Sequence, residues 1–141
     1  MVRLDAADFI TDIVGESFYF DNLAKCYHDA DAIDCNDGKV VKAQLVKEPH
    51  NPHDKNAVAV YTIYGKIGHL SRENAIKYQK IVRGDKILNV YCRIWTNDAS
   101  KGIYGAWLNF DIDDPTTLPD PREGINKNKI KQKRRKIFGL F

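Results

Sequence analysis

The sequence predicts a mainly β fold, a small closed or partly closed barrel with one or two α-helices. Short runs in which apolar and polar residues alternate recur from position 40 onward, and they indicate half-buried strands. One amphipathic helical pattern interrupts them, without the regular βαβ alternation of a parallel sheet. Closure removes the exposed edges of an open sheet, so we expect a barrel of about six short strands.

The chain opens with a predicted strand, Phe9–Val14, which ends at Gly15. The aromatic run Phe18–Phe20 is expected to continue this strand. Residues 21–36 fit either a helix or a loop. A clearer strand follows at Val40–Lys47, where small and large apolar residues alternate with polar ones.

Residues 48–56 form a concentrated turn signal, because Pro49 and Pro52 each push the preceding residue out of the helical region. Residues 57–64 and 66–70, separated by Gly65, predict a hairpin. Ser71 is the expected cap of a helix that ends at Gly84. Strands are predicted at 87–95 and 104–112, with a loop at 97–102.

The chain of 141 residues, 43% of them apolar, is long enough for one hydrophobic core. Residues 1–114 carry the strand and helix patterns and form the predicted domain. Residues 115–141 contain three of the five prolines and are predicted to be a linker and a basic arm.

Charge is distributed unevenly. Residues 1–126 hold 15 basic and 19 acidic residues, a net charge of −4, whereas residues 127–141 add seven basic residues and no acidic one. Such an arm favours an anionic partner, although solvated disorder or a packed terminal helix would also explain it. The arm's candidate ligand-binding residues are Lys131, Lys133, Arg134 and Arg135.

The three cysteines, Cys26, Cys35 and Cys92, have no CxxC spacing and are odd in number. Neither a zinc ribbon nor a disulfide framework is therefore indicated, and a reducing compartment is expected, cytoplasmic with the nucleus also open. The first ten residues lack the pattern of a signal peptide, and no stretch of about 18 apolar residues predicts a membrane span.

Three consecutive blocks resemble the HIRAN domain family. They read IVGESFY at 13–19, LVKEPHNPHDKNAVAV at 45–60 and IGHL at 67–70, in the order and spacing of that family. The central block is the most specific. The resemblance covers roughly residues 10–112 and implies an OB-like barrel with added helices.

The resemblance also implies a function. The best understood members of the family hold the 3′ end of single-stranded DNA, so we expect a nucleic-acid-binding module associated with DNA repair or processing. Single-stranded DNA or DNA ends would be its partner, and a separate helicase or nuclease would supply any catalysis. Carried over, the site comprises Phe18, Tyr19, His53, Asp54, Lys55 and His69. The neighbouring Arg72 is a further candidate.

Asp54 could accept a hydrogen bond from a terminal 3′ hydroxyl, a donor that an internal phosphodiester lacks. The alternative is that Asp54 caps its own loop by accepting the backbone N–H two residues on. Phe18, Tyr19 and His53 offer faces for base stacking. In a regular strand Phe18 and Tyr19 would point oppositely, so only one would face the ligand.

The remaining candidates also have two interpretations. His69 could donate to a phosphate or a base, or it could be a satisfied barrel histidine. Lys55 and Arg72 could contact phosphates or be plain surface charges. The DNA-end-binding members carry arginine at the position of Ser17 and tyrosine at that of His53, and these departures favour a second hypothesis, a protein-interaction or effector domain.

Catalytic and metal-binding patterns are weak. The sequence lacks a phosphate-binding GxxxxGK loop, GxSxG and HExxH, so we expect no enzyme, cofactor or metal. Acidic residues near 34–37 and 111–114 could hold Mg²⁺ in a nuclease, but a polar strand end explains them as well. His50 and His53 are a weak zinc signal.

Overall fold

The computed structural model describes residues 6–35, 38–98, 101 and 103–119. Three 3₁₀ turns lie at Ala6–Asp8, Glu16–Tyr19 and Pro115–Thr117. In chain order, the strands and α-helices are β1 (Thr11–Val14), α1 (Phe20–Tyr27), β2 (Ile33–Cys35), β3 (Gly38–Lys47), β4 (Val58–Thr62), β5 (Gly65–Leu70), α2 (Arg72–Ile81), β6 (Leu88–Asp98) and β7 (Ile103–Leu108).

The strands form one sheet in the order β2-β3-β4-β5-β1-β7-β6, and β6 also pairs with β3. This additional pairing closes β3, β4, β5, β1, β7 and β6 into a barrel, with β2 as an extra strand beside β3. Every pairing is antiparallel. The predicted mainly β barrel of about six strands with one or two helices is confirmed.

The long strand β3 is the centre of the closure, because it pairs with β2, β4 and β6. Its inward residues follow the predicted alternation: Ala43 lies opposite Val90, and Leu45 lies opposite Leu88. All four of these side chains are buried in the hydrophobic core. Burial of such side chains on folding stabilises the barrel by roughly 25 cal/mol per Å² of apolar surface.

Helix α2 is the helix that the sequence predicts. The Ser71 hydroxyl oxygen accepts a hydrogen bond from the Asn74 backbone N–H at 3.1 Å, so it supplies the expected N-cap. Ala75 and Tyr78 bury one face, and the helix ends at Ile81. The sequence leaves residues 21–36 open between a helix and a loop. The structure has a helix there, α1, and also a short strand, β2, which neither alternative includes.

The prediction that Phe18–Phe20 continues the first strand is wrong. Gly15 adopts a left-handed conformation with φ of 78°, which turns the chain out of β1. The Phe18 backbone N–H donates to the Gly15 carbonyl at 3.1 Å, closing the 3₁₀ turn, and Phe20 begins α1. Phe18 and Tyr19 therefore do not alternate across a strand.

The last strand is shorter than predicted, since β7 ends at Leu108. Phe110 and Ile112 remain buried. The Thr11 N–H donates to the Phe110 carbonyl at 3.0 Å, so backbone pairing reaches Phe110, and the Thr11 hydroxyl adds two further hydrogen bonds. It donates to the Phe110 carbonyl at 2.7 Å and accepts from the Ile112 N–H at 3.1 Å. The end of the barrel is thus held by side-chain hydrogen bonds to the backbone.

Leu118 packs against the core. The division into a domain of 1–114 and an arm of 115–141 stays a prediction. The candidate ligand-binding residues of the arm lie outside the described part of the chain: Lys131, Lys133, Arg134 and Arg135. Among the described residues, no helix is long and apolar enough to cross a membrane.

Candidate nucleic-acid interface

The proline-containing loop between β3 and β4 is ordered by its own hydrogen bonds. Its two ends are joined where the Glu48 N–H donates to the Ala57 carbonyl at 2.9 Å. Within the loop, Asn51 Oδ1 accepts from the backbone N–H groups of His53 at 2.9 Å and Asp54 at 3.2 Å. An asparagine in this position satisfies donors that a tight turn leaves without strand partners.

Asp54 caps this loop, as the alternative reading of its role predicts. Its Oδ1 accepts from the Asn56 backbone N–H at 2.9 Å. The other carboxylate oxygen, Oδ2, lies 4.0 Å from Arg72 Nε, at the start of α2. Because an ionised carboxylate has about four lone-pair sites, capping leaves acceptor capacity for a ligand. The ligand role of Asp54 stays a prediction.

A β-bulge in β5 decides which of its side chains reach this loop. Gly68 and Lys66 pair with consecutive residues of β4, so Ile67 is an extra residue on β5. An extra residue reverses the alternation of side chains along a strand. Lys66 and His69, three positions apart, consequently contact the same neighbour, whereas a regular strand would point them to opposite faces.

That shared neighbour is Glu48. Its Oε2 lies 2.6 Å from Lys66 Nζ, and its Oε1 lies 2.7 Å from His69 Nε2. Asn51 Nδ2 also donates to Glu48 Oε1, at 3.2 Å. Glu48 therefore joins two basic side chains of β5 to the loop that carries Asp54.

The ionisation of Glu48 and Lys66 follows from this contact. Partial burial raises the pKa of Glu48, but hydrogen bonds from Lys66, His69 and Asn51 outweigh it and hold the pKa below its usual value. Partial burial lowers the pKa of Lys66, but the hydrogen bond to Glu48 and the Coulombic interactions with Tyr61, Glu48 and Tyr19 together outweigh that effect and raise the pKa. Both side chains are thus charged at neutral pH.

An aromatic surface adjoins the ionic group. The Tyr19 ring lies 6.5 Å from the His69 ring, tilted by 54°. Phe18, on the same 3₁₀ turn, is 84% exposed. Val14, which pairs with His69 across β1 and β5, is also exposed. Exposed aromatic faces beside basic groups are the parts that single-stranded nucleic acid requires.

The structure connects four predicted site residues through short contacts. Tyr19 adjoins His69, which is joined through Glu48 and Asn51 to the loop of Asp54 and, beyond it, Arg72. The other candidates are all exposed, namely Phe18, His53 and Lys55.

Sequence reasoning missed Glu48, Asn51 and Lys66 as members of this cluster. Glu48 and Asn51 stand inside the central block of the resemblance, so their position was a usable signal. Lys66 follows Gly65 in a predicted strand, and no pattern in the sequence marks the bulge that turns it towards Glu48.

Two acidic residues that follow β7 accept hydrogen bonds from backbone N–H groups two residues further along the chain. Asp111 Oδ1 accepts from the Asp113 N–H at 2.9 Å, and Asp114 Oδ1 accepts from the Thr116 N–H at 3.1 Å. Asp34 pairs instead with Lys39, on β3. Within residues 6–35, 38–98, 101 and 103–119, no group of three or more metal-ligating side chains is placed to hold an ion.

Comparison with known proteins gives one family and one structure. The model of the HIRAN domain matches residues 15–109. The crystal structure of the HIRAN domain of human HLTF matches with 17% sequence identity and a TM-score of 0.35, over 79% of this chain and 82% of that one. The comparison with curated proteins found no match.

Proposed function

The chain belongs to the HIRAN domain family, and from this premise we propose that it holds the 3′ end of single-stranded DNA. Domains of this family are generally nucleic-acid-binding modules. The observation that supports the proposal is the contact of one loop with one strand. Glu48 joins His69, which lies beside Tyr19, to the loop that carries Asp54, and Arg72 lies 4.0 Å from Asp54. Binding is the proposed role, and a separate helicase or nuclease would perform any chemistry on the DNA.

End recognition is assigned to Asp54. Among the described residues, the Asn56 N–H is the hydrogen-bond donor to its carboxylate. Asn51 holds the loop that fixes this carboxylate in place. A terminal hydroxyl can donate to such an acceptor, whereas an internal phosphodiester has no hydrogen to give. Arg72, 4.0 Å from Asp54 Oδ2, provides a positive charge for the last phosphate.

Base contacts are assigned to the aromatic surface. Phe18, at 84% exposure, presents its ring to solvent, and Tyr19 lies beside His69. Stacking of one base on an aromatic ring contributes about 1 to 3 kcal/mol and tolerates any sequence. The proposal therefore predicts a preference for unpaired strands over duplexes, with little dependence on base identity.

A second candidate, a protein-interaction or effector domain, is favoured by two observations. Phe18 and Val14 are exposed, and Val14 lies opposite His69 across β1 and β5. Apolar exposure of this kind also marks protein interfaces. Residues 1–126 moreover carry a net charge of −4, which does not attract DNA by itself.

Fluorescence anisotropy with short labelled DNA separates the two candidates. The oligonucleotides differ only in a 3′ hydroxyl or a 3′ phosphate, and salt is held fixed because phosphate contacts are salt-dependent. We expect tighter binding to the hydroxyl end, and loss of that preference in Asp54→Ala. Asp54→Asn is the matched control, because its amide oxygen still caps the Asn56 N–H while the charge is lost.

Equal binding to both ends by the wild-type chain would contradict end recognition. Absence of binding to either oligonucleotide would leave the protein-interaction candidate.

A further inference from the structure

Glu48 is the most connected side chain of the candidate site. It follows β3 directly, and its side chain is 20% exposed. The carboxylate contacts Lys66 Nζ at 2.6 Å, His69 Nε2 at 2.7 Å and Asn51 Nδ2 at 3.2 Å. Because an ionised carboxylate only accepts, Nε2 of His69 carries the hydrogen and donates it to Glu48.

These contacts change what the site can offer to an anion. The Nε2–H of His69 is already donated, and the charge of Lys66 is already paired. The contacts pair two carboxylates with two permanent cations, Glu48 with Lys66 and Asp54 with Arg72. Lys55 is exposed beside Asp54 in the same loop. A neighbouring carboxylate thus already offsets part of the charge of each of these two cations, which weakens their attraction for a terminal phosphate carrying close to two negative charges.

A terminal hydroxyl is uncharged, so its binding does not require positive charge from Lys66 or Arg72. It needs one acceptor, which Asp54 provides under the proposed function, and it does not compete with Glu48 for Lys66 or His69. The same cluster therefore disfavours one kind of strand end and accepts the other.

We propose that Glu48 determines the end specificity of this site, because it neutralises Lys66 and occupies His69 and so withholds both from a terminal phosphate. The inference rests on the proposed function. Glu48 acts through other side chains and touches no ligand itself, so it is a positioning residue.

A purely structural role makes a different prediction. Glu48 also holds Asn51, and through Asn51 the loop of Asp54. If that were its whole contribution, its replacement would disorder the loop and weaken binding to every strand end alike. The ratio of the two affinities therefore distinguishes specificity from simple support.

The experiment compares Glu48→Gln with the wild-type chain in the anisotropy assay, with 3′ hydroxyl and 3′ phosphate ends at one salt concentration and pH 7. Glutamine has nearly the same shape, removes the charge and replaces one acceptor oxygen with an NH₂ donor, so it can accept from only one of Lys66 and His69 through the remaining oxygen. We expect affinity for the phosphate end to rise about tenfold, since Lys66 and His69 can then make charge-assisted hydrogen bonds to phosphate, while affinity for the hydroxyl end changes little. Lys66→Met added to Glu48→Gln should abolish most of the gain.

Lys66→Met alone is the second test and does not require Glu48 to be replaced. It leaves the Glu48 charge unpaired, so the preference for a hydroxyl end should increase several-fold. Thermal unfolding of each variant checks that it is folded.

The inference would be overturned if Glu48→Gln weakened binding to the hydroxyl end and to the phosphate end equally, or if the ratio of the two affinities were unchanged in both variants. The proposed function would still stand. If the wild-type chain itself binds neither end, the proposed function fails first, and the inference fails with it.

Discussion

A Cβ atom placed on Gly68 would stand 2.7 Å from the backbone oxygen of Val14. Strand β5 therefore approaches β1 at a distance that only glycine permits. The neighbouring pair in the register is His69 opposite Val14, so this approach also sets how near His69 lies to the turn that carries Tyr19. The packing of β5 against β1 and the geometry of the candidate site therefore both depend on the absence of a Cβ atom at Gly68.

We expect Gly68→Ala to destabilise the protein by about 1 to 3 kcal/mol, because the methyl group must displace backbone rather than a flexible side chain. Urea unfolding measures the change. Gly84→Ala is the control, since a Cβ there meets nothing within 4 Å and costs only the strain of a φ of 76°. A smaller loss for Gly68→Ala than for Gly84→Ala would contradict the close approach.

The buried hydroxyl of Tyr78 gives a prediction in the opposite direction. Tyr78 is fully buried, and its OH has no hydrogen-bond partner among the described residues. Removing an unsatisfied buried polar group relieves its desolvation cost, so Tyr78→Phe should leave stability unchanged or raise it by up to about 1 to 2 kcal/mol. Chemical unfolding at constant pH measures this.

The contrasting variant is Thr62→Val. The Thr62 hydroxyl donates to the Gly65 carbonyl at 3.1 Å, and accepts from the Tyr64 N–H at 3.2 Å and from Cys26 Sγ at 3.2 Å. Its removal leaves these groups unpaired and should cost about 1 to 3 kcal/mol. If Tyr78→Phe cost as much as Thr62→Val, the Tyr78 hydroxyl would have a partner in solution.

Asn51 should control the order of the loop that carries Asp54. Replacement by alanine removes the acceptor of two backbone N–H groups, those of His53 and Asp54. We expect faster hydrogen exchange at both amides and a loss of stability of about 1 kcal/mol. His50→Ala, an exposed neighbour in the same loop, should leave exchange at those amides unchanged. Equal exchange in the two variants would contradict the assigned role.

The lowered pKa of Glu48 predicts a pH dependence of stability with a definite sign. Its pKa lies below the ordinary value of 4.5, so the folded protein binds the proton less readily than the unfolded chain does. The stabilisation from Glu48 is therefore fully present above about pH 5, and it is lost as the pH falls through the folded-state pKa.

The measurement is the difference in unfolding free energy between the wild-type chain and Glu48→Gln. We expect this difference to be constant from pH 7 to about pH 5 and to shrink below it. Subtracting the variant cancels the titration of the other carboxylates. A difference that did not shrink below about pH 5 would contradict the lowered pKa of Glu48.

The basic arm should contribute affinity that is sensitive to salt. For single strands, log K falls with log salt by about 0.7 per phosphate neutralised. Replacing its four candidate residues with glutamine should therefore reduce the slope by up to about 3, with the preference between strand ends retained. The four are Lys131, Lys133, Arg134 and Arg135. An unchanged slope would show that these four residues neutralise no phosphate.

The sequence by itself determined the class of fold and most of its elements. Period-2 alternation in 40–47 and the run before Gly65 predicted β3 and β4, because one face of each strand must be apolar to enter the core. Ser71 marked the start of α2 through a local hydrogen bond that depends on no distant residue. The central block at 45–60 likewise indicated the family.

The tertiary structure decided the rest. Phe18 and Phe20 have strand propensity, yet the left-handed Gly15 turns the chain out of β1 and the burial of Leu23 and Cys26 favours the helix that Phe20 begins, since tertiary contacts override weak local preference. The bulge at Ile67 puts Lys66 and His69 beside Glu48, and such an extra residue arises from pairing with β4 rather than from the residues of β5. The contacts of Glu48 with Lys66 and His69 therefore follow only from the pairing of the strands.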